Sequence, residues 1–213
     1  GSAFDADSDG EEGKYYVFTY EEIKDIDNIE KYYFLNPDGN WENKIILIEK
    51  EAPNENVLKK LLEIRSKRKK PFFDDKTQLD LNCLWISALI SADDILPKNG
   101  YLKLAEEFFL KIENKYINKT IFHSYSEDVV FIEDYAFLIN TLNDLNDKTM
   151  NFKYKELAKR ITSEALNNFF IKEKNIFQKS PKNSNDVFFK PIDISDNTVP
   201  NGNAIMLINL VRL

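Results

Sequence analysis

Between residues 56 and 211 two kinds of helical pattern alternate along the chain, and this alternation restricts the fold more than any other feature. From Asn56 to Arg68, Val57, Leu58, Leu61, Leu62 and Ile64 make one apolar stripe opposite a lysine-rich back. From Thr77 to Leu96, Leu79, Leu81, Cys83, Leu84, Trp85, Ile86, Leu89, Ile90 and Ile95 point in every direction. A helix that is apolar all round must be buried all round. Tyr101 to Tyr116 is amphipathic again, Phe131 to Leu145 is of the buried kind, Phe152 to Phe170 is amphipathic, and Ala204 to Val211 is nearly all apolar. The series reads outer, inner, outer, inner, outer, inner.

The connections alternate as well. Inner-to-outer links are short, with Pro97 and Gly100 stopping and turning the chain and Asn146–Asn151 doing the same further on. Outer-to-inner links are long, covering residues 69–76, 117–130 and 172–201. Within them Thr120–Tyr125, Ile176–Gln178 and Val187–Lys190 alternate as short strands do. Two layers of antiparallel helices with every long loop on one rim describe part of an α/α toroid. A solenoid of helical pairs would alternate similarly, but no fixed-period repeat favours one. The first fifty residues form an irregular lead-in, with strand-like Lys14–Thr19 and Lys44–Ile48 around a short helix from Tyr20 to Ile26.

Composition removes several functions. At 43% hydrophobic residues, the 213-residue chain has enough apolar material for a core. Its apolar runs are too short to cross a bilayer, and no signal peptide opens it, so a soluble cytoplasmic protein is expected. A net charge of −7 disfavours nucleic acid as a partner. One cysteine, Cys83, excludes an internal disulfide framework, and one histidine, His123, excludes a His-rich metal site. No metal or cofactor is expected.

If every inner helix starts at the long-loop rim, three starts ring one mouth. They are Asp74-Asp75-Lys76, Glu133-Asp134-Tyr135, and Asn201-Gly202-Asn203 following Asp193 and Asp196. Unpaired N–H groups and the positive end of the helix dipole favour carboxylates there. Paired carboxylates across a cavity are equipment for acid–base or glycosyl chemistry. Taken singly, each reads better as an ordinary cap.

Other features have plain readings. Asp5-x-Asp7-x-Asp9-Gly10 begins like a calcium loop, but its twelfth place is Tyr16, so it reads as an acidic turn. Arg65–Lys70 reads as a solvated helix end, His123 as an edge-strand residue and Cys83 as an inert small hydrophobe. Asn118-Lys-Thr120 is a glycosylation sequon, which has no meaning without secretion.

Taken in order, several of these segments resemble one family. They are Asp5 to Gly13 with Tyr16, Gly39-Asn-Trp-Glu42, Pro71-Phe-Phe-Asp-Asp-Lys76, Glu133-Asp-Tyr-Ala-Phe-Leu138 and Pro200-Asn-Gly-Asn203. The chain is similar to the thioredoxin-domain-containing proteins of the spermatogenesis-associated type, from about Ala3 to its last residue. Family members join a thioredoxin-like domain to an (α/α)6 toroid resembling six-hairpin glycosidases and N-acylglucosamine 2-epimerases. The resemblance implies an all-α fold: a partial (α/α)6 toroid of about three helical hairpins with short β-hairpins in the long loops. Residues 1–213 would be an internal fragment of one toroid domain, with a lead-in at 1–50 and hairpins at 54–213. With no CxxC present, the thioredoxin-like domain belongs to the rest of the parent chain. Leu81 stands where relatives usually have Trp, and Cys83 where they usually have Gly, so Asn82 is kept as a candidate without stacking at 81.

The resemblance implies a sugar-like ligand in the central mouth. Catalytic candidates are Asp75, Glu133 and Asp134, and ligand-binding candidates are Asp74, Asn82, Tyr135, Asn201 and Asn203. The alternative is a non-catalytic scaffold or protein-interaction module for the thioredoxin-like domain. A sugar-directed domain brings Asp75, Glu133 and the Asn201 region to one cavity lined by aromatics. A scaffold leaves each carboxylate capping its own helix. A half ring would also expose apolar faces around Trp85, Phe137 and Met206.

Overall fold

The computed structural model describes residues 3–117, 120–124, 129–184 and 189–213. Asn118 of the sequon, Tyr125 at the end of one expected strand, and Val187 and Phe188 of another lie outside the described residues. The fold is mostly helical, with two-residue strands as its only sheet among the described residues. It divides into two units, Gly1–Asp75 and Lys76–Leu213.

In the first unit, β1 (Ala3–Phe4) pairs antiparallel with β6 (Phe73–Asp74), and β2 (Asp7–Ser8) pairs with β3 (Glu11–Glu12). The β2–β3 turn is Asp9-Gly10, with φ of 56° and 78°. Two positive φ values suit a tight primed hairpin turn, where Asp-Gly is favoured. Lys14 meets Asp9 at 3.4 Å and Glu11 at 2.8 Å, so lysine answers these carboxylates. The acidic-turn reading of Asp5–Gly10 fits this geometry.

Next come α1 (Tyr20–Ile23), α2 (Ile29–Tyr32), β4 (Tyr33–Phe34) paired with β5 (Ile48–Glu49), and α3 (Glu55–Ser66). Thr19 and Glu22 form a reciprocal cap on α1, and the Asn54 side chain accepts the Val57 N–H at 3.0 Å to start α3. The strand-like stretches expected at 14–19 and 44–48 reduce to the bridges Phe18–Ile45 and Trp41–Lys44 and to β5. The α3 stripe, read from sequence as the outer side of a first hairpin, buries Val57 and Leu61 with Phe18, Ile23, Ile29 and Ile45 of the lead-in.

Arg68 corrects the reading of the basic run as a solvated helix end. Its side chain is 17% exposed. Its Nη1 donates to the carbonyls of Lys14, Tyr15 and Val17, its Nη2 meets Glu22 Oε1 at 2.9 Å, and its guanidinium lies 4.8 Å from the Phe18 ring centre. One nitrogen thus serves the three loop carbonyls while the other serves Glu22, a division between two nitrogens of one planar group that arginine has and lysine lacks.

The second unit contains α4 (Leu79–Ile95), α5 (Tyr101–Ile112) running into a π-helical turn at Glu113–Ile117, α6 (Ile132–Thr149), α7 (Phe152–Phe169), β7 (Phe170–Ile171) paired with β8 (Ile176–Phe177), and α8 (Gly202–Arg212). Helix α6 packs on α4, α7 and α8, while α5 packs on α4. Leu79, Ile86, Phe109, Leu138, Ile139, Leu142, Ile161 and Phe169 are among the residues of this core. The link after α6 is shorter than expected, because Asn146–Thr149 continues the helix and Met150 turns the chain at φ 57°. At the far end, Arg212 binds Asn140, Asp144 and Asp147, fixing the last turn of α8 to α6.

Helix α4 is not buried all round. Leu81 is 40%, Trp85 53% and Ile95 80% exposed. Helix α8 buries Met206 and Asn209 but exposes Leu207, Ile208 and Val211. Of the three residues expected on an open face, Trp85 is there, whereas Phe137 and Met206 are fully enclosed. Phe137 sits on the helix that has neighbours on three sides, and Met206 faces it. Among the described residues no helix is long and apolar enough to cross a membrane.

Candidate functional site

Helix α6 starts without a polar side chain at its cap position, which is Phe131. Its first N–H groups are satisfied from elsewhere. The Lys179 carbonyl accepts from Ile132 N at 3.0 Å, and Asp134 Oδ2 accepts from Phe131 N at 2.9 Å. Asp134 is fully buried, and its other oxygen meets His123 Nδ1 at 2.9 Å.

Backbone bonds on both sides place His123. Its N–H donates to the Val129 carbonyl at 2.8 Å, and its carbonyl accepts the Leu79 N–H at 2.9 Å, capping α4. Gln78 Nε2 lies 3.0 Å from His123 Nε2. An amide NH2 can only donate, so Nε2 accepts, and the ring proton on Nδ1 is donated to Asp134. Asp80, in the first turn of α4, brings Oδ1 to 3.9 Å from the same Nδ1. Burial, and then the nearby charge of Asp134, push the Asp80 carboxyl above the usual carboxylate range.

Asp80 and His123 border a cleft of about 810 Å3 that is also lined by Phe131, Glu133, Lys179, Asp193, Asp196 and Asn201. Glu133 is half-buried, and its Oε2 is shut off from solvent with no hydrogen-bond partner among the described residues. Burial is the main cause that pushes its carboxyl upward; Asp193 and Asp134 add to this, and Lys179 opposes it. Lys179 Nζ meets Asp193 Oδ2 at 3.0 Å. Asn201 caps α8 by accepting the Ala204 N–H at 2.9 Å. Its own N–H and Nδ2 both donate to Asp196 Oδ1 at 2.9 Å, holding that carboxyl low. Gly202 permits the starts of α6 and α8 to meet, since a Cβ there would stand 2.9 Å from Ile132 Cγ2 and 3.3 Å from the Glu133 backbone nitrogen.

A pH dependence follows from Glu133. Its raised carboxyl holds a proton more tightly in the folded protein than in the unfolded chain. Its contribution is therefore full below the ordinary glutamate value and lost as pH rises through the raised one. Denaturant midpoints compared at pH 4 and pH 8 should fall more for the wild type than for Glu133→Gln, which has no carboxyl to ionise. Equal falls would show that Glu133 is no less ionisable in the fold than out of it.

Of the residues proposed from sequence, Glu133 and Asn201 line the cleft, and Asp134 lies beneath it on His123. Asp74, in β6, and the exposed Asp75 belong to the first unit. Helix α4 begins at Leu79, so the carboxylate in its first turn is Asp80. Asn82, Tyr135 and Asn203 use their polar atoms on the fold. Asn82 Nδ2 donates to the Gln78 carbonyl at 2.6 Å. Tyr135 is buried against Phe169 with its hydroxyl bonded to Asn168, and burial pushes it up to about 12. Asn203 binds the Phe177 N–H and carbonyl and the Asp193 carbonyl. His123, Asp80 and Lys179 were not anticipated. A helix start set two residues later would have picked out Asp80; no local signal marks Lys179.

Compared with family models and with curated proteins, the chain matches none.

Proposed function

We propose that the cleft takes a sugar-like, polyhydroxylated ligand, and that the second unit is part of an (α/α)6 toroid of the thioredoxin-containing kind the sequence resembles. One observation carries the reading: Glu133, whose buried Oε2 has no partner among the described residues, lines a cleft that also holds Asp80, His123, Lys179, Asp193 and the Asp196–Asn201 pair. Carboxylates, an amide and an ammonium group are the donors and acceptors that vicinal hydroxyls require. In this reading Glu133 accepts from or donates to a ligand hydroxyl, and His123, oriented by Asp134, faces the same ligand. A cytoplasmic location belongs to the same reading.

The test is a calorimetric screen of mono- and oligosaccharides against the chain and against Glu133→Gln, with circular dichroism confirming both folds. Saturable binding weakened at least tenfold in the variant supports the site. No binding by well-folded protein overturns it. That result favours the second reading, an interaction module for a thioredoxin-like domain, which the exposed Trp85, Leu207, Ile208 and Val211 support.

A further inference from the structure

We propose that Asp80, His123 and Asp134 form a binding site for a first-row divalent cation such as Zn2+ or Mn2+, bordering the cleft and independent of whether a sugar enters it. Each residue offers one ligand atom, and the three atoms lie within 4.8 Å of one another. Metal–ligand bonds of about 2.0–2.2 Å set neighbouring ligand atoms roughly 3.0–3.5 Å apart. The Nδ1 distances of 2.9 Å to Asp134 and 3.9 Å to Asp80 bracket that range, and the two carboxylate atoms lie within 4.8 Å of each other. One histidine is enough when carboxylates complete the set, which revises the sequence expectation of no metal.

Two further features point the same way. The ligands come from three separate segments and are held from behind, Asp134 by the Phe131 N–H and His123 by its main-chain bonds to Leu79 and Val129. In addition, Gln78 meets the ring nitrogen that would not face the ion. With a cation on Nδ1, the ring proton moves to Nε2, and a half turn of the Gln78 amide presents its oxygen as acceptor. Metal-bound histidines ordinarily make this kind of outer contact. Two carboxylates this close, one fully buried, repel each other unless a proton or a cation lies between them. A nitrogen with two carboxylates favours zinc- or manganese-like ions over calcium or magnesium, which prefer all-oxygen cages. Because Asp80 and His123 also line the cleft, the ion would keep a position open to water or ligand.

The experiment is to strip the chain with chelator, titrate it with Mn2+ alone, count bound ions by electron paramagnetic resonance, and look for imidazole nitrogen in the electron spin-echo modulation. The expected result is one ion per chain with a single histidine nitrogen. Asp80→Asn should weaken it at least tenfold, with circular dichroism unchanged, and Gln78→Leu should weaken it less. Absence of stoichiometric binding, a bound ion lacking the nitrogen signal, or unchanged affinity in folded Asp80→Asn would each overturn the site. Should Asp80→Asn fail to fold, the nitrogen signal of the wild type decides alone.

Discussion

Asp134→Ala is expected to remove about 3–5 kcal/mol from the second unit, the range seen when one partner of a buried polar pair is deleted. The carboxylate is fully enclosed, and its two oxygens satisfy His123 Nδ1 and the Phe131 N–H. Alanine leaves both donors unanswered in a water-free place and opens a small void beside them. Asp134→Asn keeps an oxygen for one donor and should cost less. The readout is built into the composition, since one tryptophan, Trp41, lies in the first unit and the other, Trp85, in the second. Urea unfolding followed through Trp85 in a Trp41→Phe background measures the loss. A shift under about 1 kcal/mol would show that the pair is less coupled to folding than its burial implies.

The second large effect belongs to the first unit. Arg68→Ala should cost that unit about 2–4 kcal/mol, because three loop carbonyls and Glu22 lose a charged donor together and Phe18 loses its covering guanidinium. Arg68→Lys should recover only part, as a single ammonium nitrogen can take the carbonyls or Glu22 but has no second nitrogen for the other and no planar face to lay over Phe18. Unfolding followed through Trp41 in a Trp85→Phe background checks both variants. If lysine restored full stability, charge rather than fork geometry would be the cause.

These two sites also mark how far the sequence could be read. The helices of the second unit were legible because their apolar spacing is local and Pro97 and Gly100 punctuate it. Their starts at Glu133 and Asn201 were legible for the same reason. The lead-in was not, because its strands are two residues long and Arg68 acts across more than fifty positions of chain. An amphipathic stripe such as that of α3 announces a buried face without saying which core it faces. Asp80 and His123 were missed because their meeting depends on His123 backbone bonds to residues 79 and 129, and no pattern within a helical window encodes such a link. Asp74 and Asp75 were preferred over Asp80 because the helix was expected to begin two residues earlier.

The described parts of the return from β8 to α8, residues 178–184 and 189–201, form much of the cleft and are fastened within the fold. Lys179 ties it to the start of α6 and, through its own N–H, to Pro191, while Asn203 grips Phe177 and Asp193 from the other end. The entropy of ordering those anchor points is therefore spent before any ligand arrives. A molecule that fits this cleft meets preset walls at these points, so differences among related ligands should be felt mainly in how slowly each one leaves.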